Sequence, residues 1–346
     1  MSRRYQAGIV LPGYNALKVA NAPTIGAATA GAAQVSVAFT APSCTGGGAI
    51  TSYTAFANCG IKTASGASSP VVVTGLTNGT AYTFKVIATN AYGPSYPSCS
   101  SNSATPIAQG QQAYTTAGTY SWVAPSCVTS VSVVAVGAGS GGGGGGALAY
   151  KNNITVVPGN SYAVVVGAAG VSSGGGGCGT NGGFSRFTAS FGSMTAGGAQ
   201  TVGTIANGGT PSGTYDAGYS GGYGSQAAGS GYNGGGAAGY AGGGGNTTFG
   251  GNGTAGSGGG GGGGGWAYWG GGGVGILGQG ANGAGGVGAQ GGRGGSGGAN
   301  GTCTTGGAYG GGAPGNPSGN LAGVGAVRII WPGNTRSFPS TCTGNL

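Results

Sequence analysis

Histidine is absent from this sequence, and the acidic residues are reduced to one, Asp216. General acid–base catalysis needs a group that exchanges protons near neutral pH, and paired carboxylates are the usual substitute for His. Neither can be assembled within one such chain. A Ser or Cys nucleophile would lack the neighbouring base that activates it. Hard metals want several carboxylates, and zinc wants convergent Cys and His. The seven Cys are scattered with no C-x-x-C pair. We therefore expect no enzyme, no metal site and no cofactor. Charge is scarce in general, with ten Lys and Arg against the one acid. Between Arg186 and Arg328 only Asp216 and Arg293 are charged. The basic residues are spread rather than clustered, and Gly-Gly-Arg293-Gly-Gly is a single copy, so no nucleic-acid partner is expected. Long apolar runs are missing too. Nothing approaches a membrane span, and Ile9–Leu11 is too short for a secretory core. We expect synthesis in a cytoplasm, without export signal or membrane insertion. The Asn-x-Ser/Thr sequons at Asn78, Asn153, Asn246, Asn252 and Asn300 then read as products of composition.

What is present falls into three regions. Residues 1–22 carry three of the ten positive charges together with an apolar group around Ile9 and Leu11. The segment is too short to fold alone, and a solvating tail would not need that apolar group. It reads as an anchoring peptide that docks on a partner through Arg3, Arg4, Tyr5, Ile9 and Leu11.

Residues 23–107 alternate in short runs: Val35–Phe39, Ser52–Phe56, Val71–Val73 and Ala81–Val86. Turn clusters separate them at Thr45–Gly48, Leu76–Thr80 and Asn90–Pro94. That spacing indicates a β-sandwich. The stretch Gly75-Leu-Thr-Asn-Gly-Thr-Ala-Tyr82-Thr-Phe-Lys-Val86, followed by Ala88-Thr-Asn-Ala-Tyr-Gly93, resembles the fibronectin type III family. The resemblance implies a tyrosine corner made by Leu76 and Tyr82, and a spacer or adhesive role. The family's usual core Trp is missing, with Phe39 as its substitute. It also implies that Cys44 and Cys99 flank loops at one end of the sandwich, which makes them the disulfide candidates.

Residues 108–346 are dominated by glycine, with strand-like pieces at both ends, such as Val128–Val136 and Val324–Trp331. Flexible linker is the default reading of such composition. Two features favour order. Apolar strands bracket the field, and Ala281, Ala284, Val287, Gln290, Arg293, Ser296 and Ala299 recur every third residue. Period three is that of a polyproline-II-type helix. Collagen would need abundant Pro, and none lies between Pro211 and Pro314. The ordered solution is a bundle of polyglycine II helices, bonded to each other because they have no internal hydrogen bonds. The expected architecture is thus all-β: a fibronectin type III sandwich, then a glycine-rich domain of strands and packed polyglycine II helices.

Gly118-Thr-Tyr-Ser-Trp122-Val-Ala-Pro125, Val128–Gly137, the first Gly run and Gly325–Trp331 resemble the glycine-rich domain of bacteriophage tail and virion proteins. In composition alone the region is similar to the tip adhesins of T-even-type long tail fibres. Arg336-Ser-Phe-Pro-Ser340 looks like the ending of structural proteins from phages of marine bacteria and cyanobacteria. These resemblances imply a structural protein at the virion surface, held by other virion proteins through its N-terminus. As a tail-fibre adhesin it would bind a host surface glycan or protein. A head fibre, a capsid decoration protein and an extracellular glycine-rich matrix protein are the alternatives. Homo-oligomer and monomer both stay open. The contact candidates are the aromatics of the glycine field, Tyr219, Tyr223, Trp266, Tyr268 and Trp269 above all, since Tyr and Trp give large contact area at low entropic cost. A close-packed glycine lattice has no room for three rings such as Trp266, Tyr268 and Trp269, so these are expected at a face or tip, whereas the individual Tyr can equally cap or plug the bundle's edges.

Overall fold

The computed structural model describes residues 18–58, 60, 62–173, 179–202, 205–227, 230–248, 251–265, 268–315 and 318–339. The chain divides into two compact units, residues 1–108 and 109–346.

In the first unit β1 (Thr24–Gly31), β2 (Gln34–Thr40) and β5 (Val71–Thr74) form one antiparallel sheet. The strands β4 (Thr63–Gly66), β3 (Ile50–Ala57), β6 (Phe84–Asn90) and β7 (Gly93–Pro94) form the other. Alternate residues point inward, so Val35, Val37, Val73, Ala55, Phe84, Val86 and Ala88 make a dry core. Phe39 is buried against Tyr53, with ring centroids 4.7 Å apart. Leu76 and Tyr82 are buried, and the Tyr82 hydroxyl accepts the Thr77 N–H at 3.2 Å. This is the tyrosine corner of a fibronectin type III sandwich. The expected lead is shorter than residues 1–22. Lys18 N–H donates to Gly46 O, Asn21 N–H to Cys44 O, and the Asn90 amide reaches Lys18 O. Residues 18–22 therefore belong to the sandwich.

The second unit begins with β8 (Gly110–Tyr114), β9 (Gly118–Val123), β10 (Ser130–Val136), β11 (Leu148–Thr155) and β12 (Ser161–Val166). Then come β13 (Ser185–Ala189), β14 (Gly192–Ala196), β15 (Gln200–Val202), β16 (Ile205–Asn207), β17 (Pro211–Gly213) and β18 (Ala217–Tyr219). β19 (Ser225–Ala227), β20 (Ser230–Asn233) and β21 (Ala326–Trp331) complete it. Two antiparallel sheets, ordered β18-β11-β10-β21-β8 and β17-β14-β13-β12-β9, lie against each other. β10 is buried on both faces, as its near-continuous apolar sequence requires. One face, with Val134, Val136, Leu148, Tyr150, Ala326 and Ile330, packs against Ala237, Ala238, Tyr240, Val274 and Ile276 of the glycine field.

The glycine field is a bundle of polyglycine II helices. Its signature is a three-residue cycle of donors. Gly234, Gly235 and Gly236 donate to three different neighbours, Trp269, Gly143 and Gly245. The cycle then restarts, with Ala237 donating to Gly272 and Ala238 to Gly146, each partner advanced by three. Gly270, Gly271 and Gly272 likewise donate to Thr302, Gly312 and Gly262, and the next two donors reach Ala299 and Tyr309, three residues back on antiparallel neighbours. A backbone with three residues per turn presents each N–H in a different direction. Every strut is therefore bonded to several neighbours, which satisfies its backbone without a sheet. Only glycine permits the spacing: a Cβ on Gly236 would overlap the carbonyl oxygen of Gly261, and one on Gly145 that of Gly236.

Ala281, Ala284, Val287, Gln290, Arg293 and Ala299 are exposed, while neighbouring Gly283, Gly286, Gly292 and Gly295 are buried. The period-three row is thus one outer face of the bundle. Ser296 departs from it. It lies at a turn with φ of 48° and points inward, its hydroxyl donating to Gly259 O and accepting the Gly280 N–H.

Candidate functional site

The polyglycine struts run out from the strands and return, so their turns gather at two ends. At one end the turns around residues 239–242, 257–260 and 276–281 cover the first sheet. Tyr240 lies there, fully buried, with its hydroxyl between Gly275 O and Gly278 N–H and its ring stacked on Phe338. Burial pushes its phenol well above the ordinary range. Arg328, on the same face, is also buried, donates to Gln111 Oε1 and Ile276 O, and is pushed down by desolvation. Phe338 is bound reciprocally to the Asn152 amide at 2.7 and 2.8 Å. Residues 336–338 thus latch across β11 rather than forming a separate tail.

At the opposite end the turns are tied to one another. Ala313 N–H donates to Ser140 O, Ser172 N–H to Asn320 O, and Gly306 N–H to Leu321 O. Val171 bridges Leu321, Leu321 bridges Thr305, and Ala206 bridges Gly224. Asn233 accepts the Tyr268 N–H through its side chain, and Thr247 joins Tyr223 O, Ser225 and Asn233 O through its hydroxyl. The hairpins β15–β16 and β19–β20 rise from this end. Val171, Val202, Tyr223, Val287 and Leu321 stand exposed there. The connecting sequences 140–143, 171–180, 200–207, 223–233, 246–253, 265–269, 287–290, 302–305 and 313–321 contain no Lys, Arg, Asp or Glu. Among the described residues the end presents hydroxyls, amides and apolar side chains without formal charge, on struts bonded to several neighbours each.

The aromatic candidates divide on this geometry. Tyr223 is 55% exposed at the turn-bearing end, while Tyr268 and Trp269 are half-buried beside it. Tyr268 has a φ of 71°, and the Trp269 carbonyl accepts the Gly234 N–H at 2.8 Å, so these two residues are tied to the strut that begins at Asn233. Tyr219 does not join them. It pairs with Leu148 in the first sheet and packs on the core at the other end. Trp266 and the anchor candidates Arg3, Arg4, Tyr5, Ile9 and Leu11 lie outside the described residues. Sequence reading passed over Asn233 and Thr247 and took Asn246 for a product of composition, yet all three tie turns together at this end. Their signal was an amide or hydroxyl residue where a glycine run stops.

The disulfide candidates are separate. Cys44 and Cys99 are free and exposed. Cys44 follows β2 and lies by the Asn90 end of β6, since the Asn90 amide donates to Thr45 O. Cys99 lies between Ser98, bonded to Val86, and Ser101, bonded to Phe84. Those levels of β6 are about 15 Å apart at ~3.3 Å per residue, whereas a disulfide needs Cα atoms within about 7 Å. Cys99 runs alongside β6 rather than flanking an end loop. Among the described residues no three His, Cys, Asp or Glu converge on a metal position, and no helix is long and apolar enough to cross a membrane.

No protein-family model matches the chain, and no curated protein matches it. A solved structure titled "Titin kinase and its flanking domains" is similar at 18% identity over 43% of this chain and 30% of that one, with a TM-score of 0.23.

Proposed function

We propose that this chain is a structural protein of a bacteriophage virion, displayed at the particle surface, and that it meets the host through the turn-bearing end of its glycine-rich unit. The observation that carries this reading is the gathering of uncharged, partly apolar turns at the end of a rigid bundle. Binding residues sit on loops that a scaffold holds in place, and the exposed, bridged pair Val171 and Leu321 gives this end an apolar contact area. The occupant is a cell-surface glycan or protein, recognised by shape and hydrogen bonds rather than by charge. Residues 1–17 are the segment proposed to fasten the chain to other virion proteins. Gold-labelled antibody against the chain should decorate intact particles, and soluble chain added beforehand should lower adsorption of those particles to host cells. Labelling confined to the head, without inhibition, would assign it to head decoration. Particles free of the chain would overturn the reading.

A further inference from the structure

A second feature lies on the flank of the glycine-rich unit, between the second sheet and the Gln200 turn of the turn-bearing end. A groove of about 360 Å³ runs where the struts leaving β13, β14 and β17 lie side by side. That volume is at the small end for ligand sites. Its floor is glycine, including Gly197 and Gly198, so a ligand would approach backbone directly. Phe184 forms an apolar wall and is 44% exposed. Thr195, Gln200, Thr210 and Ser212 supply hydroxyls and an amide along the rim.

A cation stands next to the groove, beside two of the residues that line it. Arg186 pairs directly with Thr195 across β13 and β14, and its guanidinium lies 5.1 Å from the Phe184 ring centroid. Its Nε is buried and has no hydrogen-bond acceptor among the described residues. The chain has one acid to offer, Asp216, and that is held by Lys151 at 3.1 Å and by the Asn152 N–H. An orphaned guanidinium donor costs stability unless something accepts from it. A second buried orphan, Thr201 Oγ1, follows Gln200 directly in sequence.

We infer that this groove takes a carboxylate-bearing sugar, such as a uronic acid residue of an acidic polysaccharide. The guanidinium fork matches a carboxylate, the exposed part of the Phe184 ring that the guanidinium leaves uncovered suits the C–H side of a pyranose, and the rim suits ring hydroxyls. A single cation is too little for a polyphosphate backbone, which is bound by several Lys and Arg. The inference stands independently of the virion reading.

The test is titration of the full chain with methyl β-D-glucuronide, followed by saturation-transfer NMR, with methyl β-D-glucoside as the neutral control. The glucuronide should saturate with a Kd on the order of 1 mM, as fits a shallow site for one ring. The glucoside should bind at least about tenfold more weakly, and Arg186→Gln should cost the glucuronide a similar factor. Phe184→Ala, at an exposed position, should also weaken binding while leaving the thermal midpoint unchanged. Absence of saturable glucuronide binding, equal binding of the glucoside, or full affinity in both variants would each overturn the assignment.

Discussion

At the residue scale the bundle turns on which glycines face a neighbouring backbone. Gly236 is buried and its missing Cβ would overlap the Gly261 carbonyl, whereas Ala284, in the exposed row, already carries a side chain. Gly236→Ala should therefore destabilise the glycine-rich unit by about 3 kcal/mol or more, since the obstacle is backbone held by its own hydrogen bonds. Ala284→Ser should change stability by less than about 0.5 kcal/mol, as for ordinary surface positions. Urea unfolding of the two variants separates the outcomes, and equal, small effects would show that the lattice yields. The sequons follow the same logic. Asn246, Asn252 and Asn300 accept the N–H groups of Tyr223, Gly288 and Gly294, and Asn78 accepts that of Ala33. Asn153 takes a φ of 49° beside the bulge between β10 and β11. Each of these residues has a structural use where it stands, which composition alone did not reveal.

At the element scale the last edge of the sandwich departs from a regular strand. Ser95, Ser98 and Ser101 donate their N–H groups to Ala88, Val86 and Phe84, and their hydroxyls accept the N–H groups of the same three residues. Three residues on the edge thus match two on β6, so the outer side offers no continuous strand for another chain to pair with. Ser98→Ala would leave the buried Val86 N–H without its acceptor. It should cost about 1–3 kcal/mol, read from the thermal midpoint, while Ser100→Ala should cost almost nothing. The contrast shows what was legible in the sequence. Leu76 and Tyr82 could be read because the corner is built from residues close in the chain, and the row Ala281–Ala299 because one strut and its return share a period. The serine edge has an equally plain period, Ser95-x-x-Ser98-x-x-Ser101, but it matters only opposite β6, a pairing that no local pattern announces. Tyr219, Tyr223 and Tyr240 each follow a glycine, yet one flanks the core, one is exposed and one is buried. Their fates depend on which end of a strut they occupy, and strut length is set by the bundle as a whole.

At the scale of the whole glycine-rich unit, charge and turns are segregated. Lys151, Asp216, Arg186, Arg328 and Arg336 belong to the strands or the segments beside them, Arg293 stands on the outer face, and the turn-bearing end has no formal charge. Attraction between fixed charges is screened over about 8 Å at physiological ionic strength, so a contact steered by charge weakens as salt rises. A contact made by Tyr223, Tyr268, Trp269 and the exposed aliphatic residues around them would not. If this end touches the host, adsorption should stay nearly constant between roughly 50 and 500 mM salt, where a charge-steered encounter would slow severalfold. Tyr223→Ala and Trp269→Ala should each reduce adsorption by on the order of tenfold, as for central aromatic contacts. Tyr223 is more exposed than the half-buried Trp269, so its replacement should leave the unfolding midpoint almost unchanged while that of Trp269 lowers it modestly. Normal adsorption by folded Tyr223→Ala and Trp269→Ala particles would remove both rings from recognition. Adsorption that collapses with salt would move the contact away from this end altogether, toward the basic residues elsewhere in the chain.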